Sequence, residues 1–248
     1  MKKKVLVTRK LLKENEEKLK QLFDVKLNSK DEIYTSDKIL ELSKDCDGIL
    51  SVITDQFNKE IIDKLSPSVK IISNYAVGFG NIDVTAATKK NIIVTNTPEV
   101  LNDSTADIAI LLLLGASRKV LEARRAAELQ NWKWSTDFLL GKQMSNRRLG
   151  ILGMGRIGRA VAKRARGFGM EIHYHNRNQL SKELEEGAIY HKTIKDLFKQ
   201  SDFLSINCPA TKETNKIINK ETIAFLPDNV VIGNAARGDI VDDEAMIE

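Results

Sequence analysis

Three glycines with the spacing Gly-x-Gly-x-x-Gly stand out in this 248-residue sequence. They are Gly153, Gly155 and Gly158. An apolar run at 149–152 precedes them, and apolar residues at every third or fourth position follow, which predicts a strand, a turn and a helix. This order is typical of dinucleotide-binding sites: the first glycine permits the turn, the second lets the backbone approach a pyrophosphate, and the third allows close helix packing. Backbone N–H groups at the helix start, near Arg156 and Ile157, would face the anion. The alternative is a glycine-rich turn without a ligand.

The end of the next predicted strand, residues 170–175, bears on the choice of dinucleotide. An acidic side chain there would bind the ribose 2′-hydroxyl of NAD, whereas an arginine accommodates the 2′-phosphate of NADP. The sequence has Asn176, Arg177 and Asn178 and no carboxylate, so NADP(H) is favoured and NAD(H) stays possible. The alternative is that these are ordinary surface residues and that NAD binds without its usual partner.

Strands and helices that could position these residues alternate along the whole chain. Up to residue 98, five short strands (4–8, 25–27, 48–53, 69–73 and 92–95) alternate with helices at 14–23, 58–65 and 82–90. Beyond it, strands at 149–152, 170–175, 188–191, 203–207 and 230–234 alternate with further helices. Repeated alternation of this kind predicts two α/β domains, 1–98 and 99–248, each with a parallel sheet covered by helices.

The segment between the two sets of strands begins with an unusually apolar helix. Asn102, Asp103 and Ser104 offer N-terminal cap residues, and residues 106–115 are hydrophobic on all sides. Such a helix is buried between layers, between lobes or in a subunit interface. A more polar helix at 119–129 and a loop at 132–142 with two tryptophans follow.

Composition limits the class of protein. Hydrophobic residues make up 42% and charged residues 29%, as in soluble globular proteins, and the longest apolar run, 108–114, is too short to span a bilayer. Two cysteines give neither a disulfide framework nor a metal-binding spacing, so we expect a reducing cytoplasm and no metal. The net charge of +5 is mild and accompanies no nucleic-acid-binding motif, so no nucleic-acid partner is expected. A local basic cluster surrounds the glycine turn: Arg147, Arg148, Arg156, Arg159, Lys163, Arg164 and Arg166.

Several motifs together resemble one family, the D-isomer-specific 2-hydroxyacid dehydrogenases, and within it the glyoxylate and hydroxypyruvate reductases. Besides the glycine turn they are NYAVGFGNID at 74–83, NTP at 96–98, STAD at 104–107, NCPATKET at 207–214 and NAARGDIVD at 234–242. They run from end to end of the chain. The resemblance implies a flavodoxin-like substrate lobe at 1–98 and a Rossmann-type NAD(P)-binding domain at 99–248.

The resemblance also assigns roles to individual residues. The backbone N–H groups of Val77 and Gly78 match the loop that holds the substrate carboxylate. Arg237 matches the catalytic arginine, whose planar fork can grip the carboxylate and carbonyl oxygen of a 2-oxo acid and stabilise charge that grows on that oxygen. Taken alone, an Arg-Gly after a strand is an ordinary surface turn. The cofactor-binding positions are Thr105, Gly153, Gly155, Arg156, Ile157, Gly158, Asn176, Arg177, Asn178, Cys208, Pro209, Thr214, Ala235, Ala236 and Arg237.

The resemblance further implies two partners, a small 2-oxo or 2-hydroxy acid and a second copy of the chain bound through the helices after Pro98. The family's catalytic glutamate and histidine follow the arginine, and His173, His175 and His191 all precede it. We therefore expect both lobes to be incomplete at the carboxy terminus, and these 248 residues to be a weak or inactive reductase. The alternative function is a non-catalytic dinucleotide-binding or interaction module like the transcriptional corepressors of the same family.

Overall fold

The computed structural model describes residues 1–130 and 132–247 of the chain. These residues form two compact units, Met1–Val100 (unit 1) and the chain from Leu101 onward (unit 2). Each unit is built around one parallel five-stranded sheet. Among the described residues no helix is both long and apolar enough to cross a membrane.

Unit 1 has the strand order of flavodoxin-like sheets, β2-β1-β3-β4-β5. Its strands are β1 (Lys4–Val7), β2 (Asp24–Lys26), β3 (Gly48–Ser51), β4 (Ile71–Asn74) and β5 (Ile93–Thr95). Its helices are α1 (Lys13–Leu22), α2 (Ser36–Leu42), α3 (Lys59–Lys64) and α4 (Val84–Lys89). The sequence pattern did not predict α2, a seven-residue helix with one buried side chain, Ile39, and a cap in which the Thr35 hydroxyl accepts from Lys38 N–H.

Unit 2 has the order β10-β9-β6-β7-β8, which is the doubly wound arrangement expected of a nucleotide-binding domain. Its strands are β6 (Arg148–Leu152), β7 (Glu171–His175), β8 (Ile189–Tyr190), β9 (Phe203–Ile206) and β10 (Val231–Asn234). Its helices are α5 (Asn102–Ser117), α6 (Val120–Leu129), α7 (Arg156–Arg166), α8 (Lys182–Glu185), α9 (Ile194–Lys199), α10 (Lys220–Ile223) and α11 (Asp243–Ile247), with a 3₁₀ turn at Gly238–Ile240. The two parallel sheets confirm the predicted α/β fold class.

The apolar helix α5 is buried on one face only. Its buried face packs against α7 and β10, and it comes so close to β10 that a Cβ on Gly233 would lie 3.0 Å from Leu113 Cδ2. The opposite face exposes Ile108, Leu111 and Leu112. The prediction of side-chain caps at its start was wrong: the helix begins at Asn102, and the N-cap residue, Leu101, makes no side-chain cap bond.

Part of the predicted basic cluster is neutralised within unit 2. Arg148 forms a forked pair with Asp202, and this guanidinium lowers the pKa of the Asp202 carboxyl to about 2. Arg164 pairs with Asp103 and Asp107 at the start of α5. These contacts tie β6 to β9 and α7 to α5, so these two arginines hold the fold together and are not available to bind an anion.

Candidate cofactor and substrate sites

Most of the residues predicted to bind a dinucleotide lie at the carboxyl ends of the strands of unit 2. Because the strands are parallel, these ends lie on the same side of the sheet. Gly153 follows β6, Asn176 follows β7, Cys208 lies beyond β9 and Ala235 follows β10. In doubly wound sheets, ligands bind outside the carboxyl ends of the strands where the strand order reverses. In this sheet that point lies between β6 and β9.

Two glycines of the turn are required by the protein itself. Gly153 has φ +94°, and a Cβ there would lie 2.5 Å from the backbone nitrogen of Cys208. A Cβ on Gly158 would lie 2.4 Å from the carbonyl oxygen of Gly153. Side chains at either position would therefore push α7 or the residues after β9 away from the turn.

The middle glycine is different. Gly155 is the N-cap of α7, and a Cβ built on it meets nothing within 4 Å. The first turn of a helix also carries N–H groups that make no bond within the helix, and Ile157 lies in this turn of α7. Open space beside a glycine at a helix N-terminus fits the approach of a pyrophosphate.

Asn176 contributes to the shape of this turn. Its side-chain oxygen accepts from the backbone N–H of Met154 at 2.7 Å, and its side-chain nitrogen lies 3.4 Å from the Met154 carbonyl oxygen. The side chain is thus engaged within the protein, and a direct contact with a ribose remains a prediction. Arg177 and Asn178, by contrast, are exposed.

In the loop after β9, the hydroxyl of Thr214 forms hydrogen bonds to two backbone groups of the same loop. Thr214 Oγ1 donates to the carbonyl of Pro209 at 2.7 Å and accepts from the N–H of Thr211 at the same distance. Cys208 is buried at the start of this loop, and burial raises the pKa of its thiol to about 11, so it stays protonated near neutral pH. A protonated thiol is not a nucleophile, and Cys208 contributes shape and packing to the turn.

Arg237 lies on a tight turn at the end of β10. The side-chain oxygen of Asn234 accepts from Ala236 N–H at 2.9 Å, and its nitrogen donates to the Arg237 carbonyl at 2.8 Å. Ala235 N–H donates to Ile206 O at 3.2 Å, which continues the strand pairing. The Arg237 side chain is exposed and donates to the Ala236 carbonyl at 2.9 Å. The turn therefore holds the backbone and leaves the guanidinium facing solvent.

Sequence reasoning did not single out Asn207, which follows β9 directly. Its side-chain nitrogen donates to Ser205 Oγ at 2.9 Å, while its side-chain oxygen is buried without a hydrogen-bond partner, the one such side-chain atom in the described part of the chain. A buried acceptor without a donor is costly, so this oxygen fits a donor from a bound ligand. Thr105, on the N-terminal turns of α5, is half-buried.

Val77 and Gly78 lie in unit 1, in the loop that follows β4, and both are half-buried. Their carbonyl oxygens are bound by the side chains of Asn96 and Asn74, at 2.8 and 2.9 Å. Sequence reasoning used both asparagines to establish the family resemblance and gave neither a role. The available signal was an asparagine at the end of an apolar strand: Asn74 is the last residue of β4, and Asn96 follows β5 directly.

All three histidines lie together, far across the sheet from Arg237. His173 Nδ1 lies 2.8 Å from His191 Nε2, and His173 Nε2 lies 2.5 Å from Glu171 Oε1. His175 Nδ1 bonds to the His191 carbonyl at 2.9 Å. Burial and the neighbouring His173 lower the pKa of His191. His173 and His175 lie on β7 and His191 follows β8, so all three are three or more strands away from β10, which precedes Arg237.

Comparison with known proteins agrees with the fold and with the family resemblance. The family model described as the D-isomer specific 2-hydroxyacid dehydrogenase NAD binding domain matches residues 110–248. A glyoxylate reductase of Korarchaeum cryptofilum is 41% identical over 252 residues, which cover 99% of this chain and 74% of that protein. A glycerate dehydrogenase of Hyphomicrobium methylovorum is 37% identical, over 99% of this chain and 77% of that protein.

Solved structures give the same picture. The crystal structure of a glyoxylate reductase from Paecilomyes thermophila superposes with a TM-score of 0.88 at 37% identity, covering 99% of this chain and 77% of that one. The chain belongs to the D-isomer specific 2-hydroxyacid dehydrogenase family and carries its NAD-binding domain. It spans about three quarters of the length of these relatives.

Proposed function

We propose that this protein reduces a small 2-oxo acid, glyoxylate or hydroxypyruvate, to the 2-hydroxy acid with NADPH as the preferred donor. Relatives named glyoxylate reductase and glycerate dehydrogenase support the substrate class. The observation that carries the proposal is the glycine turn. A side chain on Gly153 or Gly158 would collide with protein atoms, whereas Gly155 faces open space. Gly155 is exposed at the N-cap of α7, so no protein atom occupies the space through which a pyrophosphate would approach the start of this helix.

The dinucleotide, when bound, supplies the hydride that reduces the substrate carbonyl. The first turn of α7 would hold its pyrophosphate, with Arg156, Ile157 and Gly158 contributing backbone N–H groups. Arg177 and Asn178 would face the adenosine ribose, and the loop from Cys208 to Thr214 would lie along the cofactor. Thr105, Ala235 and Ala236 would line its nicotinamide end, where the unpartnered oxygen of Asn207 accepts a donor.

In unit 1, the N–H groups of Val77 and Gly78 would bind a substrate carboxylate. In unit 2, the planar guanidinium of Arg237 is suited to pair with a carboxylate and a carbonyl oxygen. Arg237 is the catalytic residue, because a fixed positive charge stabilises the oxygen on which negative charge develops during reduction.

We do not assign the proton that this oxygen finally receives to the three histidines, because they lie on β7 and just after β8, three or more strands from β10.

Oxidation of NADPH by the protein in the presence of glyoxylate tests the proposal. We expect turnover that depends on both compounds and shows saturation with glyoxylate. Tight NADPH binding without turnover of glyoxylate or hydroxypyruvate, even at protein concentrations in excess of substrate, would instead support a non-catalytic module of the corepressor kind.

We expect NADPH to bind more tightly than NADH, and Asn176→Asp to reverse this order. The new carboxylate still accepts from Met154 N–H but repels a 2′-phosphate, so the turn is kept while NADPH affinity falls. Fluorescence titration with both cofactors measures the change. Asn229→Asp, the same charge change at an exposed residue before β10, is the control. Tighter binding of NADH by the unmodified protein would contradict the expectation.

We also propose that two copies associate through the helices after Pro98. This segment exposes an unusual number of large apolar side chains: Ile108, Leu111, Leu112, Leu121, Leu129, Trp134 and Leu140. Exposed apolar surface of this extent marks an interaction site.

A charge in this surface should separate the copies. Leu111 is 59% exposed on the outer face of α5, so Leu111→Asp disturbs little within unit 2 and places a charge where the partner would pack. Sedimentation equilibrium should give twice the chain mass for the unmodified protein and the single-chain mass for the variant. Leu184→Asp, at an exposed leucine of α8, should remain associated. A single-chain mass for the unmodified protein would exclude the homodimer.

We also propose that the protein works in the reducing cytoplasm. Its two cysteines are free thiols, which fits that compartment.

A further inference from the structure

Four successive carbonyl groups in the loop at 76–79 are bound by donors from unit 1. The bonds are Thr97 N to Ala76 O at 3.0 Å, Asn96 Nδ2 to Val77 O at 2.8 Å, Asn74 Nδ2 to Gly78 O at 2.9 Å and Ile82 N to Phe79 O at 3.0 Å. The peptides of residues 76–80 are all trans, so each of these carbonyls is antiparallel to the N–H of the next residue. The N–H groups of Val77, Gly78 and Phe79 therefore point away from these donors.

We refer to these three N–H groups of successive residues as a row. Within residues 1–130 and 132–247, no hydrogen-bond acceptor is found for any of them. Successive backbone N–H groups without partners in the protein can make an anion-binding concavity. The hydrogen bonds to the four carbonyls fix the orientation of the peptides and so keep these N–H groups available to an anion.

The orientation of the two asparagine amides follows from their partners. Asn74 is fully buried, its oxygen accepts from Ser51 Oγ at 3.2 Å, and its nitrogen faces the Gly78 carbonyl. Asn96 is half-buried, and its nitrogen faces the Val77 carbonyl. A carbonyl oxygen only accepts, so each asparagine must present its NH₂ group to the loop.

We propose that Asn96 and Asn74 are positioning residues: they hold the loop so that its row of N–H groups, which includes those of Val77 and Gly78, faces the carboxylate of the substrate. Neither side chain touches the substrate. Asn96 acts on the peptide that joins Val77 to Gly78, and Asn74 acts on the peptide that joins Gly78 to Phe79 from the buried side. This inference rests on the proposed function only in the identity of the anion, a 2-oxo acid.

Replacing Asn96 by aspartate tests the proposal, because aspartate has nearly the same shape and no donor when ionised. Its charge would repel the Val77 carbonyl and turn the Gly78 N–H out of the row. One lost hydrogen bond to a charged group corresponds to about a 10- to 100-fold rise in KM for glyoxylate, with kcat little changed. Lowering the pH toward the pKa of aspartic acid, about 4, restores a donor and should reverse part of the rise.

Two further variants separate positioning from a general loss of structure. Asn96→Leu should raise KM to a similar extent without rescue at low pH, since leucine cannot donate at any pH. Asn58→Asp introduces the same charge in the same unit, at an exposed residue whose side chain only accepts from Ile61 N–H at 3.0 Å. It should leave KM unchanged. An unaltered KM in Asn96→Asp, or a rise that ignores pH, would overturn the proposal while the proposed function stands.

A binding measurement separates the two proposals if the protein turns over no 2-oxo acid. Oxalate, a small dicarboxylate, can be titrated into ¹⁵N-labelled protein with NADPH present, while the amide signals of residues 77–79 are followed. A shift of the Gly78 signal in the unmodified protein that is lost in Asn96→Asp supports the positioning role without turnover. No shift at Gly78 in the unmodified protein rejects it.

Discussion

Replacing Arg237 by lysine is expected to lower the rate of 2-oxo acid reduction by about 10²–10³-fold, the usual cost of removing one stabilising donor from a developing oxyanion. Lysine keeps the positive charge but offers no planar fork, so it cannot hold carboxylate and carbonyl oxygen together. Cofactor affinity should change little, because the Arg237 backbone is held by Asn234 whatever side chain it carries. Single-turnover oxidation of bound NADPH by glyoxylate measures the loss directly.

The fold should tolerate this substitution. The Arg237 side chain is exposed, and its one described bond is to the carbonyl of the preceding residue, so thermal stability should shift by less than about 0.5 kcal/mol. Arg147→Lys is the matched control, since Arg147 is an exposed arginine just before β6, at the opposite end of the strand from the glycine turn. Near-normal reduction by Arg237→Lys would remove this residue from the catalytic role.

Most of the fold could be predicted because each strand and helix shows a characteristic spacing of apolar residues in its own segment of sequence. The alternation of apolar strands and helices predicted both parallel sheets, whereas the strand order was implied only by the family resemblance. Two features of the fold were not predicted correctly. Helix α2 has too few apolar residues to show a period, and α5 begins at Asn102, inside the group of residues that resembled a cap.

The candidate site was less predictable, because its contacts depend on register between distant strands. Leu152 pairs with His175, and this pairing continues as Gly153 N–H donates to His175 O at 3.0 Å. Only that register places Asn176 beside Met154 and commits its amide to the turn. The unpartnered oxygen of Asn207 and the capture of the Val77 carbonyl by Asn96 depend in the same way on tertiary structure.

Alanine substitutions in the glycine turn should separate the needs of the fold from the needs of the cofactor. At Gly158 a Cβ would lie 2.4 Å from a backbone oxygen that cannot move without shifting α7, so Gly158→Ala should destabilise unit 2 by about 1–3 kcal/mol or more. Thermal unfolding in the absence of cofactor measures this loss. Cofactor affinity should fall as well, since the helix start moves away from the pyrophosphate.

Gly155→Ala should lower cofactor affinity without lowering the stability of unit 2. Its Cβ meets no protein atom, and φ −80° and ψ −152° are accessible to alanine, so stability should be unchanged or raised by up to about 1 kcal/mol. The methyl group instead occupies the space through which the pyrophosphate would approach, and NADPH affinity should fall about tenfold or more. If Gly155→Ala kept normal stability together with normal affinity for both NADPH and NADH, the open space beside α7 would not be the cofactor site. The glycine pattern would then serve the fold alone.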